Sequence, residues 1–313
     1  MPDWSILVVD GLEETGLTLL RAASRVDERE GITHQELVRE IEGYAALVVR
    51  GRSRVSEEVF QAGGNLKVVG RAGVGVDNID LAAAYRHAVT VVNAPQATSR
   101  AVAEHTLALI LALARSIPAA DAGMKAGRWM KKDLTGVEVD GKMLGLIGVG
   151  NIGGLVARLA AGLGMEVLGY DPLLDEEGIR SRGARPASLD EVYARADFIS
   201  LHVPLNPETR GLINGQTLGY MKRGVRLVCA ARGGVIDETA LLGALESGQV
   251  AGAALDVFAE EPPGLSALVT HPLVIATPHI AAQTGEAQAR AARDVAEEIL
   301  ACLRGEPLRW KVV

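Results

Sequence analysis

Short apolar runs recur along the chain, separated by longer stretches in which apolar residues return every three or four positions. The runs read as buried strands and the stretches as amphipathic helices. In the first third, strands are expected at Ser5–Asp10, Tyr44–Val49, Leu66–Gly70 and Val89–Asn93. Helices are expected around Thr15–Ala23, His34–Glu42, Val55–Ala62 and Ile79–His87. Thr33 with Glu36 three residues on is a capping box for the second helix, and Ser56 is the expected cap of the third. Strand and helix alternate throughout, which predicts a parallel sheet.

Ser99–Arg115 is a long helix, apolar on several faces and carrying Glu104 and His105. Two readings stand side by side for it: a helix that runs between domains and packs against a second subunit, or one buried within a single chain. A polar stretch, Lys125–Asp140, follows. A second series of strands is then expected at Met143–Gly148, Met165–Tyr170, Phe198–Val203, Arg226–Ala230, Ala251–Asp256 and Leu273–Ala276. Six short apolar strands with intervening helices make a doubly wound sheet. The last helix, Gly285–Leu303, is expected to cross back to the first series, where the tail Arg309–Val313 also ends.

The turn between the first two strands of the second series carries the most specific signal. Gly148, Gly150 and Gly153, with Val149, Asn151 and Ile152 between them, form a G-x-G-x-x-G pattern between a strand and a small-residue helix. Gly148 allows the tight turn, Gly150 lets the backbone approach a pyrophosphate, and Gly153 lets helix and strand pack closely. The amides and dipole at the helix start favour the negative charge. The next strand ends in Asp171, 18 residues after Gly153, close to the spacing of about 20 for the acidic residue that holds the adenine ribose. A carboxylate there repels a 2′-phosphate, and Pro172, Leu173 and Leu174 follow it with no arginine, so NAD is expected over NADP. The fold class is therefore α/β with two domains: a Rossmann NAD-binding domain, residues 96–283, inserted in a flavodoxin-like substrate domain, residues 1–95 and 284–313. Ligands of open α/β sheets bind at the carboxyl ends of strands, which makes the cleft between the domains the expected active site.

Composition narrows the function classes. The net charge of −7 argues against a nucleic-acid partner. The longest apolar run, Leu107–Ala114, is too short for a bilayer span, so no membrane association is expected. Cys229 and Cys302 are far apart and in no metal-like spacing; no metal site is expected, and a cytoplasmic location is. The N-terminus has no basic region before its apolar residues and does not read as a signal peptide.

Three features at the ends of the late strands carry chemistry. Arg232, in Ala231-Arg232-Gly233-Gly234, offers a rigid fork suited to a carboxylate. Glu261 sits in a loop fixed by Pro262 and Pro263 after Asp256. His279 follows Pro278, and imidazole is the usual proton carrier near neutral pH.

Taken together, Gly148–Gly153 with Asp171, Ala231–Gly234, Asp256–Pro262 and Pro278-His279 resemble the D-isomer-specific 2-hydroxyacid dehydrogenase family. Val69–Asn78, Asn93–Pro95, Met124–Trp129 and Gly285–Gln288 bring the likeness closest to members whose three-carbon acid ends in a phosphate. The resemblance implies hydride transfer between NAD and C2 of a 2-hydroxy acid. It implies that Arg232 grips the substrate carboxylate, that His279 is the acid/base, and that Glu261 pairs with it. Asn93, Val74 and Gly75 match substrate contacts, and Arg50 matches a substrate arginine suited to the phosphate. Gly148, Gly150, Asn151, Ile152, Gly153, Asp171, Pro204, Ala230, Asp256 and Ala282 match cofactor contacts, with Asp256 near the nicotinamide carboxamide. A homodimer or homotetramer is implied; with the chain ending at Val313, a short form without a regulatory C-terminal domain and a truncated longer chain are both open. Ala281 stands where many relatives have glycine, and Val74 where a hydroxyl residue is common. Other readings are a reductase of glyoxylate, hydroxypyruvate or a similar keto acid, and an NAD-sensing binding protein of the co-repressor type.

Overall fold

The first series of apolar runs forms a parallel sheet, with one strand more than the pattern predicts. The computed structural model describes residues 4–313. In chain order the elements are β1 (Ser5–Val8), α1 (Glu14–Arg21), β2 (Arg25–Glu28), α2 (His34–Glu40), β3 (Ala46–Val49), α3 (Glu57–Ala62), β4 (Val68–Arg71), α4 (Leu81–Arg86) and β5 (Thr90–Asn93). The order β2-β1-β3-β4-β5, parallel throughout, is the flavodoxin-like one. The additional strand, β2, is Arg-Val-Asp-Glu at the sheet edge, where burial demands no apolar run. Elsewhere the side chains alternate between two cores. Ile6, Val8, Ala46, Val48, Val68 and Val92 join the cluster that holds Leu17 and Leu20 of α1. Leu7, Leu47, Val49, Val69 and Val91 join the cluster that holds Leu37, Val59 and Ala83 of α2, α3 and α4. Covering both faces is what makes each strand read as a continuous apolar run.

The expected capping box is present. Thr33 Oγ1 accepts from the Glu36 amide at 3.3 Å, and Glu36 Oε2 accepts from the Thr33 amide at 2.9 Å. Ser56, by contrast, does not cap α3; its hydroxyl lies 3.3 Å from His34 Nε2 instead.

The chain continues through α5 (Ser99–Arg115), α6 (Ile117–Lys125), β6 (Met143–Ile147), α7 (Asn151–Ala161), β7 (Glu166–Tyr170), α8 (Glu176–Ser181), β8 (Arg185–Pro186), α9 (Leu189–Arg195), β9 (Phe198–Leu201), α10 (Gly215–Tyr220), β10 (Val225–Cys229), α11 (Glu238–Glu246), β11 (Val250–Leu255) and β12 (Val274–Ala276). The sheet is parallel in the order β12-β11-β10-β9-β6-β7-β8, the doubly wound Rossmann arrangement with its switch point between β6 and β9. It has seven strands, not six: β8 is two residues long and too short to show in the pattern. α5 buries Ala103, Leu107, Leu109, Ile110 and Ala114 in the core shared with α7. It ends at Ser116, which adopts left-handed φ of +51°. The chain bends there by 65° into α6, a helix the pattern does not predict. Among the described residues no single helix is long and apolar enough to cross a membrane.

The last helix, α12 (Gly285–Arg304), packs onto the first sheet beside α1. The packing is close: a Cβ on Gly16 would lie 2.5 Å from the Ala292 carbonyl oxygen, and one on Gly70 would lie 2.5 Å from Ile299 Cδ1. The tail then runs antiparallel to β5, with Val312 N donating to Val91 O at 2.8 Å, and covers that edge of the sheet. Arg309 Nε and the amides of Arg309 and Trp310 all donate to the buried carboxylate of Glu298.

Two units result, one of the residues up to Ser99 with Ala282–Val313, the other of Arg100–Ala281. These limits differ by a few residues from 95/96 and 283/284. The reason is local: Ala97 O accepts from Arg290 Nε at 3.0 Å and Ala97 packs on Ala291, while Ala282 O accepts from Gln288 Nε2 at 2.8 Å.

Candidate active site

The three glycines of the turn after β6 meet different constraints. Gly148 has φ of +92°, and a Cβ there would lie 2.5 Å from the His202 carbonyl oxygen just beyond β9. A Cβ on Gly153 would lie 2.1 Å from Gly148 O, so helix and turn are in contact. Gly150 is different, since a Cβ there would meet nothing within 4 Å. Its missing side chain serves no internal packing; it leaves open space at the start of α7. Gly150 is also the N-cap of α7 and provides no side-chain cap, whereas α8, α9, α10 and α11 are capped by Asp175, Ser188, Asn214 and Asp237. The first-turn amides, from Asn151 and Ile152 onward, are thus left to an outside acceptor. These features fit a dinucleotide pyrophosphate.

Asp171 follows β7 and reaches back to the same turn. Its Oδ2 accepts from the Val149 amide at 2.8 Å and its Oδ1 from the Leu173 amide at 3.0 Å. Against the turn lies His202, whose Nε2 is 2.9 Å from Ser200 Oγ; burial pushes its imidazole down to about 4. Pro204, further along, is exposed, and its carbonyl accepts from Thr209 Oγ1 at 2.5 Å.

The second cluster sits at the carboxyl ends of β10, β11 and β12, three neighbouring strands. β10 leads through buried Ala230 to Arg232, whose Nη1 donates to Ala231 O at 2.7 Å. A Cβ on Gly233 would lie 1.7 Å from Phe258 O, so the loops after β10 and β11 touch. β11 leads to Asp256 and on to Glu261. Glu261 Oε1 accepts from the Phe258 amide at 3.1 Å, and its Oε2 is 2.8 Å from His279 Nδ1. β12 leads to Thr277 and His279. His279 is a non-glycine residue at φ of +52°, held by its amide donating to Asp256 O at 2.9 Å. Such backbone states cost about 1–3 kcal/mol and gather at functional sites. With Nδ1 engaged by a carboxylate, the ring has Nε2 left for an outside partner. Below, Cys229 is buried, which raises its thiol to about 11 and leaves it inert as a nucleophile.

Asp256, expected near the nicotinamide carboxamide, turns its carboxylate inward. It is wholly buried; Oδ1 accepts from Thr277 Oγ1 at 2.5 Å and from the Ile280 amide at 2.9 Å, and Oδ2 from the Ala281 amide at 2.9 Å. Burial alone would raise its carboxyl, but these donors and His105 outweigh that and hold it below the usual range. His105 and Thr277 are the residues that sequence reasoning leaves unassigned; the one available signal is a histidine on the buried side of an apolar helix.

In the first unit the candidate substrate residues stand at the carboxyl ends of β3, β4 and β5. Asn93 Nδ2 donates to Val74 O at 2.6 Å, tying the loop with Val74 and Gly75 to β5. The Arg50 guanidinium contacts Gln288 Oε1, and its amide donates to Asp10 Oδ2 at 2.8 Å. Ala282 lies on the return segment of this unit.

A dinucleotide turn, a histidine–carboxylate pair and an arginine on neighbouring strand ends match one known family. The family model described as D-isomer specific 2-hydroxyacid dehydrogenase, NAD binding domain, covers residues 107–281. The chain belongs to that family. The matched part is the family's NAD-binding domain, and NAD is the cofactor it takes. It is 45% identical over 307 residues to D-3-phosphoglycerate dehydrogenase of Synechocystis, a match covering 98% of this chain and 55% of the relative. It spans about half the length of the curated relatives it matches. Among solved structures, the TT0316 protein of Thermus thermophilus is 35% identical with a TM-score of 0.89, over 99% of this chain and 100% of that one. A glyoxylate reductase from Paecilomyes thermophila is 29% identical with a TM-score of 0.91, over 100% and 99%.

Proposed function

We propose that the protein catalyses the NAD-dependent oxidation of D-3-phosphoglycerate to 3-phosphohydroxypyruvate, the reaction that leads into serine biosynthesis. The observation that carries the chemistry is the 2.8 Å contact between His279 Nδ1 and Glu261 Oε2 at the end of β12. With Glu261 accepting from Nδ1–H, His279 Nε2 takes the proton of the substrate C2 hydroxyl, and the Glu261 carboxylate stabilises the imidazolium that forms. Arg232 holds the substrate carboxylate through its planar fork. NAD, when bound, would supply the acceptor for the C2 hydride; Gly148–Gly153 would hold its pyrophosphate and Asp171 its ribose.

The substrate assignment is supported by the likeness to the Synechocystis enzyme and by the arginine at the β3 end. We assign Arg50 to the substrate phosphate and Asn93, Val74 and Gly75 to the substrate backbone. The high structural similarity to a glyoxylate reductase favours a second reading, reduction of a small unphosphorylated keto acid. Large apolar side chains exposed on and after α6, namely Ile117, Met124 and Trp129, support a homodimer or homotetramer.

The test is NADH formation with D-3-phosphoglycerate, D-glycerate and D-lactate, and NADH consumption with glyoxylate and hydroxypyruvate. The first reading expects D-3-phosphoglycerate to have the highest kcat/KM, and Arg50→Ala to raise its KM while hardly changing rates with unphosphorylated acids. Better activity on glyoxylate or hydroxypyruvate, or equal losses for both substrate classes in Arg50→Ala, moves the assignment to the second reading.

A further inference from the structure

The segment that presents His279 is fixed from inside by a carboxylate that reaches no solvent. Asp256 holds the amides of Ile280 and Ala281 through its two oxygens, and its backbone carbonyl accepts from the His279 amide. That carboxylate is approached from a second element, α5, by His105. His105 Nε2 lies 3.4 Å from Thr277 Oγ1 and 3.5 Å from Asp256 Oδ1. Its side chain is only 19% exposed, on a helix whose buried side is otherwise mostly alanine, leucine and isoleucine.

The proton inventory gives the contact a direction. The Thr277 hydroxyl spends its one proton on Asp256 Oδ1 at 2.5 Å. Its lone pairs then face His105, so Nε2 carries the hydrogen and donates. The result is a relay from His105 Nε2–H to Thr277 Oγ–H to the Asp256 carboxylate. Bonds in such a chain polarise and strengthen one another in a dry site. A carboxylate with no water must be matched by protein donors, or it gives up its loop.

We propose that His105 is a positioning residue for catalysis: through Thr277 and Asp256 it locks the 277–281 loop in the left-handed conformation that sets His279 against Glu261. This rests on the reading of His279 as the acid/base. Glu261 fixes the ring from the side-chain end, and His105 fixes the backbone from the other. His105 touches neither substrate nor cofactor in this scheme, and its effect on turnover passes through the loop.

Two variants of the full chain test it. His105→Leu fills the space without a donor; His105→Gln keeps an N–H donor at a similar reach. Each is measured for kcat and KM with D-3-phosphoglycerate and NAD, and for hydrogen exchange at the Ile280 and Ala281 amides. The Leu variant should lose about 2- to 10-fold in kcat, the scale of removing one hydrogen bond to the neutral Thr277 hydroxyl. Its KM for NAD should change far less. Exchange at Ile280 and Ala281 should accelerate by a similar factor, while β6 and β9 amides stay as in the parent. The Gln variant should recover most of both losses. Unchanged exchange in the Leu variant overturns the proposal, as does equal loss in Leu and Gln. If no hydroxy acid is oxidised by the parent, the functional reading falls, and the exchange measurement still decides whether His105 holds the loop.

Discussion

Gly150 and Gly153 lie three residues apart in the same motif, yet the structure assigns them different jobs, and alanine at each separates them. At Gly153 a Cβ falls 2.1 Å from Gly148 O, a backbone atom that cannot swing aside. Either α7 moves away from the turn or the turn deforms, and overpacking of this kind costs about 1–3 kcal/mol. Gly153→Ala should therefore lower Tm and weaken NADH together. At Gly150 the Cβ meets nothing within 4 Å, and φ is −70°. The fold should lose less than about 1 kcal/mol, the usual scale of an exchange at an N-cap. The methyl would nonetheless occupy the space into which the uncapped amides of α7 point. Losing one charge-assisted hydrogen bond to the pyrophosphate costs about 1.5–3 kcal/mol, which is about 10- to 100-fold in Kd. Fluorescence titration with NADH and thermal melting of both variants supply the comparison. Parent-like NADH affinity in Gly150→Ala would refute the assignment of that open space to the pyrophosphate.

Further outcomes follow from the same geometry. His279→Asn suits the left-handed backbone, which asparagine tolerates, so it should keep NADH affinity while kcat falls about 10²- to 10⁴-fold; parent-like kcat would remove His279 from the chemistry. Asp171→Ala should narrow the preference for NAD over NADP and lower Tm, because the carboxylate also holds the Val149 and Leu173 amides; an unchanged cofactor preference measured by titration would place selectivity elsewhere. Arg232→Lys keeps the charge but loses the fork, and kcat/KM should drop about 10- to 100-fold; a nearly silent exchange would show that the carboxylate is held by another group. His202 is neutral in the fold down to about 4, whereas the unfolded imidazole protonates near 6.5. Its share of stability is present above 6.5 and is lost as pH falls towards 4, at up to about 1.4 kcal/mol per pH unit. Urea unfolding across that range should show a shallower loss in His202→Gln, and identical slopes would exclude His202 as the source.

The nucleotide half of the site is readable in the sequence because its constraints act on backbone. Gly148, Gly150, Gly153 and Asp171 must occur at set spacings in a strand–turn–helix, and the pattern survives in one dimension. The placement of Arg232, Glu261 and His279 is readable for a similar reason, since each follows an apolar strand in a parallel sheet. What escapes is what depends on pairing across the fold. β2 is polar because it is an edge, and β8 is two residues long, so neither has a hydrophobic signature. α6 begins after a left-handed Ser116, a break that side-chain pattern does not encode. His105 and Asp256 are separated by about 150 residues and meet only because α5 packs beside the ends of β11 and β12. Asp256 shows the same limit, as its place beside the motif says nothing of which way its carboxylate turns.

The split first unit has a consequence for how the chain is made. Leu17 and Leu20 of α1, and the face of the sheet with Val8 and Val48, share a core with Val295 and Ile299 of α12. The segment Arg100–Ala281 lies between them in the polypeptide. During synthesis at about 5–20 residues per second, that apolar face stays uncovered for on the order of ten to forty seconds. The Rossmann unit, by contrast, is one continuous stretch and can close as soon as it leaves the ribosome. The nascent protein thus carries a sticky, half-built sheet ahead of a finished domain, and its yield in a cell should depend on chaperone capacity more than its final stability would suggest.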